Sequence, residues 1–325
     1  MRWLLTVVAV FTLGCASTTV TPSPAGPTPT SVQSASPNST PATHSPTATL
    51  TAAPTPAITP DSAPPPTVPV AAEIESELRD PGVLTVCLSV VGAPATGLDE
   101  QGMLVGYNVS FAEEIARRLG LELATREPLF DTLIDVVRDH QCDISVSSQN
   151  ITAGRLELVD FVPYTESLQP VIVATDNPTN INALTDLCGK PVSATEGTTH
   201  VDLVNGTGDY FRQGLNTGCT AAGQPPVDLR IFQTESHAVT ALLDGQVAAY
   251  LGNSGFQADF PDQLEFSEAT LPPARQGITT APDRPILNTA VQAAMAQMFA
   301  DGIYREILVH HLPNEESVKL VSLLE

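Results

Sequence analysis

Gly102-Met-Leu-Val-Gly-Tyr-Asn-Val-Ser-Phe-Ala-Glu-Glu-Ile-Ala-Arg-Arg-Leu-Gly120 is a turn feeding a helix, because Val109, Ala112, Ile115, Ala116 and Leu119 recur at helical spacing. Two further segments follow it in a fixed order. Phe130-Asp-Thr-Leu-Ile-Asp-Val-Val-Arg138 reads as a second amphipathic helix, leading through Gln141-Cys-Asp143 into a strand from Ile144 to Ser148. Asn150-Ile-Thr-Ala-Gly-Arg155 then opens another helix, with Thr152 as its N-cap and Arg155 in its first turn. Small polar residues at a strand end, a capped helix start and a guanidinium together suit the holding of an anion.

This ordered set resembles the family 3 solute-binding proteins of ABC importers, which take up polar amino acids. The resemblance continues through Asp160-Phe-Val-Pro-Tyr164, Leu187-Cys-Gly-Lys-Pro-Val-Ser-Ala-Thr-Glu-Gly-Thr-Thr199, Ala241-Leu-Leu-Asp-Gly245 and Asp301-Gly-Ile-Tyr304, and spans roughly residues 80 to 310. No single motif is decisive; their order and spacing carry the likeness. It implies an α/β, two-lobed periplasmic-binding-protein-like (type II) fold with a hinge of two crossing segments.

The flanks bound the rest. Arg2, the apolar run Trp3 to Leu13 and Gly14-Cys15 read as a lipoprotein signal peptide over residues 1–15, with Thr12 where a Leu-like residue is usual. An apolar run of about a dozen residues is too short to span about 30 Å of hydrocarbon. Cys15 is therefore the expected lipidation site. Residues 16–73 are rich in Pro, Thr, Ser and Ala, and up to Ala72 only Asp61 is charged, so this stretch is expected to act as a disordered tether. Residues 74–325 form the solute-binding domain, with one lobe over about 74–170 and 276–325 and the other over about 173–272. The chain carries 14 Lys and Arg against 36 Asp and Glu, a net charge of -22, and nothing resembles a basic patch, which argues against a nucleic-acid partner.

Four cysteines remain after Cys15, an even number in an exported chain, and no CxxC or HExxH occurs. This favours disulfides over a metal site. Pairs similar to Cys188 and Cys219 occur in Gram-positive relatives of the family. Cys87 and Cys142 fall on strands that neighbour in a sheet of this kind, although buried reduced cysteines also behave as small apolar residues.

The expected ligand sits at the carboxyl ends of strands running from Leu84 to Val90, from Cys142 to Ser148 and from Pro191 to Thr195. The chain returns to the first lobe near Gln276 to Thr280, followed by a helix from about Ile286 to Ala300. By resemblance, Arg155 matches the arginine that clamps a ligand's α-carboxylate; read alone, it could pair with Glu157 or Asp160. Ser148 and Asn150 match polar ligand contacts, and such residues are also ordinary turn formers. Gly197-Thr198-Thr199 matches the second-lobe loop that caps the carboxylate, with Thr199 as N-cap of the next helix. Phe130 matches an aromatic placed against the ligand's side chain, and would serve equally as core.

Two departures bear on specificity. The loop Val90-Val-Gly-Ala-Pro-Ala95 lacks the aromatic residues that many relatives carry there. In Ala241 to Asn253, relatives read two aspartates where this chain has Ala248 and Asn253, the second of which pairs with the ligand's ammonium. Either Glu196 supplies the missing negative charge, or the ligand is not an ordinary α-amino acid. The resulting expectation is a monomeric, lipid-anchored extracytoplasmic receptor of an ABC permease that binds an amino acid or related carboxylate without metal or cofactor. The alternatives are an enzyme resembling cyclohexadienyl dehydratase, with Glu196 or Glu166 as acid, and a ligand sensor for a membrane kinase.

Overall fold

Short apolar runs separated by amphipathic helices assemble into one mixed sheet of eight strands and a small hairpin. The computed structural model describes residues 71–207 and 214–312. The expected signal peptide, Cys15, nearly all of the tether and the chain beyond residue 312 lie outside the described residues. In chain order the strands are β1 (Val83–Cys87), β2 (Gly97–Leu98), β3 (Leu104–Val105), β4 (Glu122–Arg126), β5 (Ile144–Asn150), β6 (Asp160–Ala174), β7 (Pro191–Thr195), β8 (Asp228–Phe232), β9 (Ala249–Leu251) and β10 (Leu264–Thr280). The sheet order is β4-β1-β5-β10-β6-β9-β7-β8, and β2 pairs with β3 in a separate hairpin.

Two parallel half-sheets, β4-β1-β5 and β9-β7-β8, flank a central antiparallel pair, β6 and β10. These central strands run 15 and 17 residues and belong to both halves, so they are the two crossing segments. Their ladder is irregular in the middle, with register shifts between Phe266 and Thr270, Leu271 and Ala274, and Gln276 and Gly277. Pro272 and Pro273 fall inside the second shift. A residue without an N–H cannot complete a ladder, so a bulge is where a central strand tolerates it.

Each half has its own apolar core. One gathers residues from Ile74 to Tyr164 and from Ile278 to Leu312; two others lie between Val171 and Ala269. The helix Tyr107–Leu119 turns Tyr107, Phe111, Ala112, Ile115, Ala116 and Leu119 inward and ends on Gly120 at φ 70°, the left-handed conformation that glycine accepts without penalty. Phe111 packs edge-on to Tyr164 at 5.5 Å and against Tyr304 at 5.4 Å, while the Tyr304 hydroxyl donates to the Tyr164 carbonyl at 2.7 Å.

The boundaries shift from sequence expectation in instructive ways. β1 stops at Cys87 rather than Val90, and β5 extends to Asn150, where it pairs with Gln276 of β10. The segment at Phe130 is a single 3₁₀ turn, Phe130–Thr132, before the short helix Leu133–Arg138. The strand Pro191–Thr195 forms as read, and the helix expected from about Ile286 runs Pro285–Asp301.

Cys87 bonds to Cys142, tying the end of β1 to the approach of β5, and Cys188 bonds to Cys219, tying the turn before β7 to the helix Leu215–Ala221. The second bridge spans 31 residues. Closing a loop of that length in the unfolded chain is worth about 3 to 4 kcal/mol in the chain-entropy description. Replacing both Cys188 and Cys219 with serine is therefore expected to lower the thermal midpoint by several degrees. A change within about 1 °C would show that this bridge does not staple the second half.

Candidate functional site

The carboxyl ends of the parallel strands converge on one cleft between the two halves. Ser148, Asn150 and Arg155 reach it from the end of β5, Thr198, Thr199 and His200 from the loop after β7, Glu235 from the turn after β8, and Gly252, Asn253 and Ser254 from the turn after β9. Ser167, Leu168, Gln169 and Gln276 line it from β6 and β10, and Tyr107 and Phe130 from the first half. This is the crevice position expected of open α/β sheets.

Arg155 sits in a one-turn helix, Ala153–Leu156, whose N-cap Thr152 accepts from the Arg155 N–H at 3.2 Å. Two backbone carbonyls fix the plane of its guanidinium: Nη1 donates to Asn150 at 2.8 Å and Nη2 to Gly197 at 2.9 Å. The second contact crosses the cleft. Asn150 crosses it too, donating through Nδ2 to Thr199 Oγ1 at 2.7 Å while Gln276 Nε2 donates to its Oδ1 at 3.5 Å. Gly197, at φ 74°, makes this approach feasible, since a Cβ there would lie 2.5 Å from the Asp131 Cα.

Ser148 has φ 51°, a left-handed conformation that is costly for a residue with a Cβ. A buried network holds it there. Its N–H donates to the Tyr164 hydroxyl at 2.8 Å, Asn108 Nδ2 donates to its Oγ at 3.2 Å, and the Tyr164 hydroxyl donates to Asn108 Oδ1 at 2.6 Å. The twist breaks the simple alternation of the strand, yet both Ser148 and Asn150 line the cleft. Phe130 is part of the first core and of the cleft wall at once. Thr198, not Thr199, is the N-cap residue of the helix Thr199–Asn205; its hydroxyl turns back to the Thr195 carbonyl at 2.7 Å, leaving Thr199 for Asn150.

The carboxylates fall differently from sequence expectation. Glu196 is exposed and does not line the cleft, and Glu166 pairs with Arg275 at 3.1 Å on an exposed face. The acid lining the cleft is Glu235, which is 4% exposed. It accepts from the Tyr250 hydroxyl at 2.6 Å, and that hydroxyl accepts from the Asn253 N–H at 3.2 Å. Burial pushes the Glu235 carboxyl up to about 7, against the lowering effect of the Tyr250 hydrogen bond. Asn253 Oδ1 accepts from the Gly255 N–H at 2.8 Å, so its side chain closes its own turn.

His200 and Gln169 also escaped sequence reading. Both line the cleft and are buried, and both His200 ring nitrogens and Gln169 Oε1 lack a hydrogen-bond partner among the described residues. Leaving buried polar atoms unpaired costs about 1 to 3 kcal/mol each, so such atoms mark a place made for an additional partner. Burial and the nearby Arg155 charge push the His200 imidazole down to about 4, which keeps it neutral around pH 7.

The profile of the bacterial extracellular solute-binding proteins, family 3, matches residues 84–314. The chain belongs to that family. The probable ABC transporter arginine-binding protein ArtJ of Chlamydia trachomatis is 26% identical to this family 3 protein over 230 residues, covering 67% of this chain and 83% of that one. Among solved structures, a mutant of the arginine-binding protein from T. maritima superposes with a TM-score of 0.63 at 27% identity, covering 75% of this chain and 99% of that chain. An ancestral arginine-binding protein has been solved with arginine and with glutamine; each form gives a TM-score of 0.62 at 26% identity, covering 71% and 72% of this chain and 98% and 99% of that chain. These relatives carry the names of binding proteins, and this family 3 protein shares with them the two-lobed fold. No helix among its described residues is long and apolar enough to cross a membrane.

Proposed function

We propose that this protein is the extracytoplasmic receptor of an ABC importer and holds an amino acid between its two lobes. Arg155 clamps the carboxylate, assisted by Asn150, Ser148, Thr198 and Thr199, while Phe130 packs against the remainder of the ligand. One observation carries the reading. Two of the hydrogen bonds that join the halves, Arg155 to Gly197 and Asn150 to Thr199, are made by the residues proposed to hold the carboxylate. Ligand capture and lobe closure over β6 and β10 are then the same event, and the closed form is what the permease reads. Lipidation at Cys15 and the Pro-rich segment keep the receptor near the membrane, and it works as a monomer.

The names of the relatives support an amino acid as the solute. Thermal-shift screening against the common L-amino acids should yield one or a few that raise the midpoint by several degrees, as expected when a ligand at about a hundredfold its dissociation constant adds about 2.7 kcal/mol. Mass spectrometry of the recovered ligand separates this reading from catalysis on the same scaffold, for which Glu235 is the buried acid. An unchanged ligand supports transport; a converted ligand would replace it.

A further inference from the structure

We propose that Glu235 is the anionic subsite of the cleft and seats the cationic nitrogen of an amino acid whose carboxylate lies on Arg155. This deepens the receptor reading above and rests on it. A buried carboxylate lining a ligand cleft needs a cation, because leaving it charged and unpaired is costly. Among the described residues no lysine, arginine or histidine pairs with Glu235, and its partners, the Tyr250 hydroxyl and the Asn253 N–H, are neutral. When Glu235 is ionised, its counter-charge then comes with the ligand; in the empty cleft a proton takes that place.

Position explains why residue 253 can be an amide. The chain Glu235 Oε2 to Tyr250 hydroxyl to Asn253 N–H links the acid to the turn where relatives carry their ammonium-binding aspartate. Tyr250 reaches this point because residue 252 is glycine; a Cβ there would collide with the phenol hydroxyl. Glu235 thus brings a negative charge to the same wall from a different strand end, and Asn253 Oδ1 serves Gly255 instead.

Among the groups that line the cleft, Glu235 is the one held near 7. Tyr250 from β9 and Tyr107 from the first half are held protonated by burial, His200 is held neutral, and Arg155 stays cationic. On β8, Asp228 pairs with Arg230 at 3.2 Å; on β6, Glu166 pairs with Arg275; His237, on the helix of Glu235, is exposed. Glu127, an exposed acid, lines an adjoining groove. An acid held near 7 in the empty cleft must lose its proton to receive a cation. Affinity should therefore tighten about tenfold from about pH 6 to about pH 8, following the ionised fraction of a group at about 7.

Isothermal titration of the whole exported protein with L-arginine, L-glutamine and 5-guanidinopentanoate, near pH 6 and near pH 8, tests this. L-glutamine carries only the α-ammonium and 5-guanidinopentanoate only a guanidinium, so together they identify which cation Glu235 holds. Wild type should bind at least one probe more tightly at the higher pH and release about half a proton per ligand near pH 7. Glu235→Gln, isosteric and uncharged, should weaken that probe about tenfold or more near pH 8 and flatten the pH dependence. Tyr250→Phe removes the donor that stabilises the carboxylate, so it should move the midpoint of the pH profile upward while leaving a cation preference. Binding within about threefold of wild type by folded Glu235→Gln, with the same pH dependence, overturns the subsite and leaves the receptor reading intact. If Glu235→Gln does not fold, an unmoved pH midpoint in Tyr250→Phe overturns it equally. Failure of wild type to bind any common L-amino acid overturns the receptor reading, and the subsite with it.

Discussion

Replacing Arg155 with alanine is expected to weaken binding of a carboxylate ligand by about 30-fold to several thousandfold. Truncating one member of a buried, hydrogen-bonded charge pair costs about 2 to 5 kcal/mol, and each 1.4 kcal/mol is tenfold. Two further effects push toward the upper end. The guanidinium plane is already fixed by the carbonyls of Asn150 and Gly197, so little ordering is left to be done on binding, and the Gly197 contact itself joins the two halves. Arg155→Lys should fall between wild type and Arg155→Ala, since it restores charge but not a planar fork able to meet two oxygens. Calorimetry on both variants, with circular dichroism to confirm folding, checks the order. A loss below about threefold for folded Arg155→Ala removes this residue from the site.

The place of Arg155 on the cleft was legible in the sequence because its surroundings are local. Thr152 and Arg155 lie three residues apart, so a capping residue and a first-turn guanidinium declare themselves within one short segment. The strand Pro191–Thr195 was legible in its run length and the presence of disulfides in the even cysteine count, whereas which cysteines pair was what the family resemblance implied. Glu235 was not. An acidic residue in the first turn of a helix is what the macrodipole favours anywhere, so the sequence around Thr234 and Glu235 looks like an ordinary helix start. Only the sheet order, which puts β8 outside β7 and β7 beside β9, turns that helix start toward Arg155, 80 residues earlier in the chain. Glu196 is the sequence candidate for the charge missing at Asn253, but it lies exposed in the turn after β7. The long central strands were hidden by Pro170, Pro272 and Pro273, which read locally as breaks and are accommodated in the structure around irregular pairing.

The largest stability effect should come from Asp143, the residue before β5 and outside the cleft lining. Its side chain is completely buried and accepts three hydrogen bonds: from the Arg79 N–H at 2.6 Å, the Thr85 N–H at 2.7 Å and Arg284 Nη1 at 2.6 Å. These partners come from the segment before β1, from β1 itself and from the residue preceding the helix Pro285–Asp301, so one carboxylate ties three separate stretches of the first half together. Arg284 is itself only 6% exposed. Asp143→Ala would leave that cation buried without its counter-charge and two backbone donors unmet, a change expected to cost about 3 to 5 kcal/mol. For a domain of this size each kcal/mol moves the midpoint by about 2 to 4 °C, so a fall of about 6 to 20 °C is expected in thermal unfolding. The double variant Asp143→Ala with Arg284→Met removes both charges and should recover part of the loss, because an unpaired buried cation is worse than none. Equal destabilisation in the single and double variants would show that the backbone donors of Arg79 and Thr85, not the ion pair, carry the effect. A midpoint within about 2 °C of wild type in Asp143→Ala would overturn the role of this carboxylate altogether.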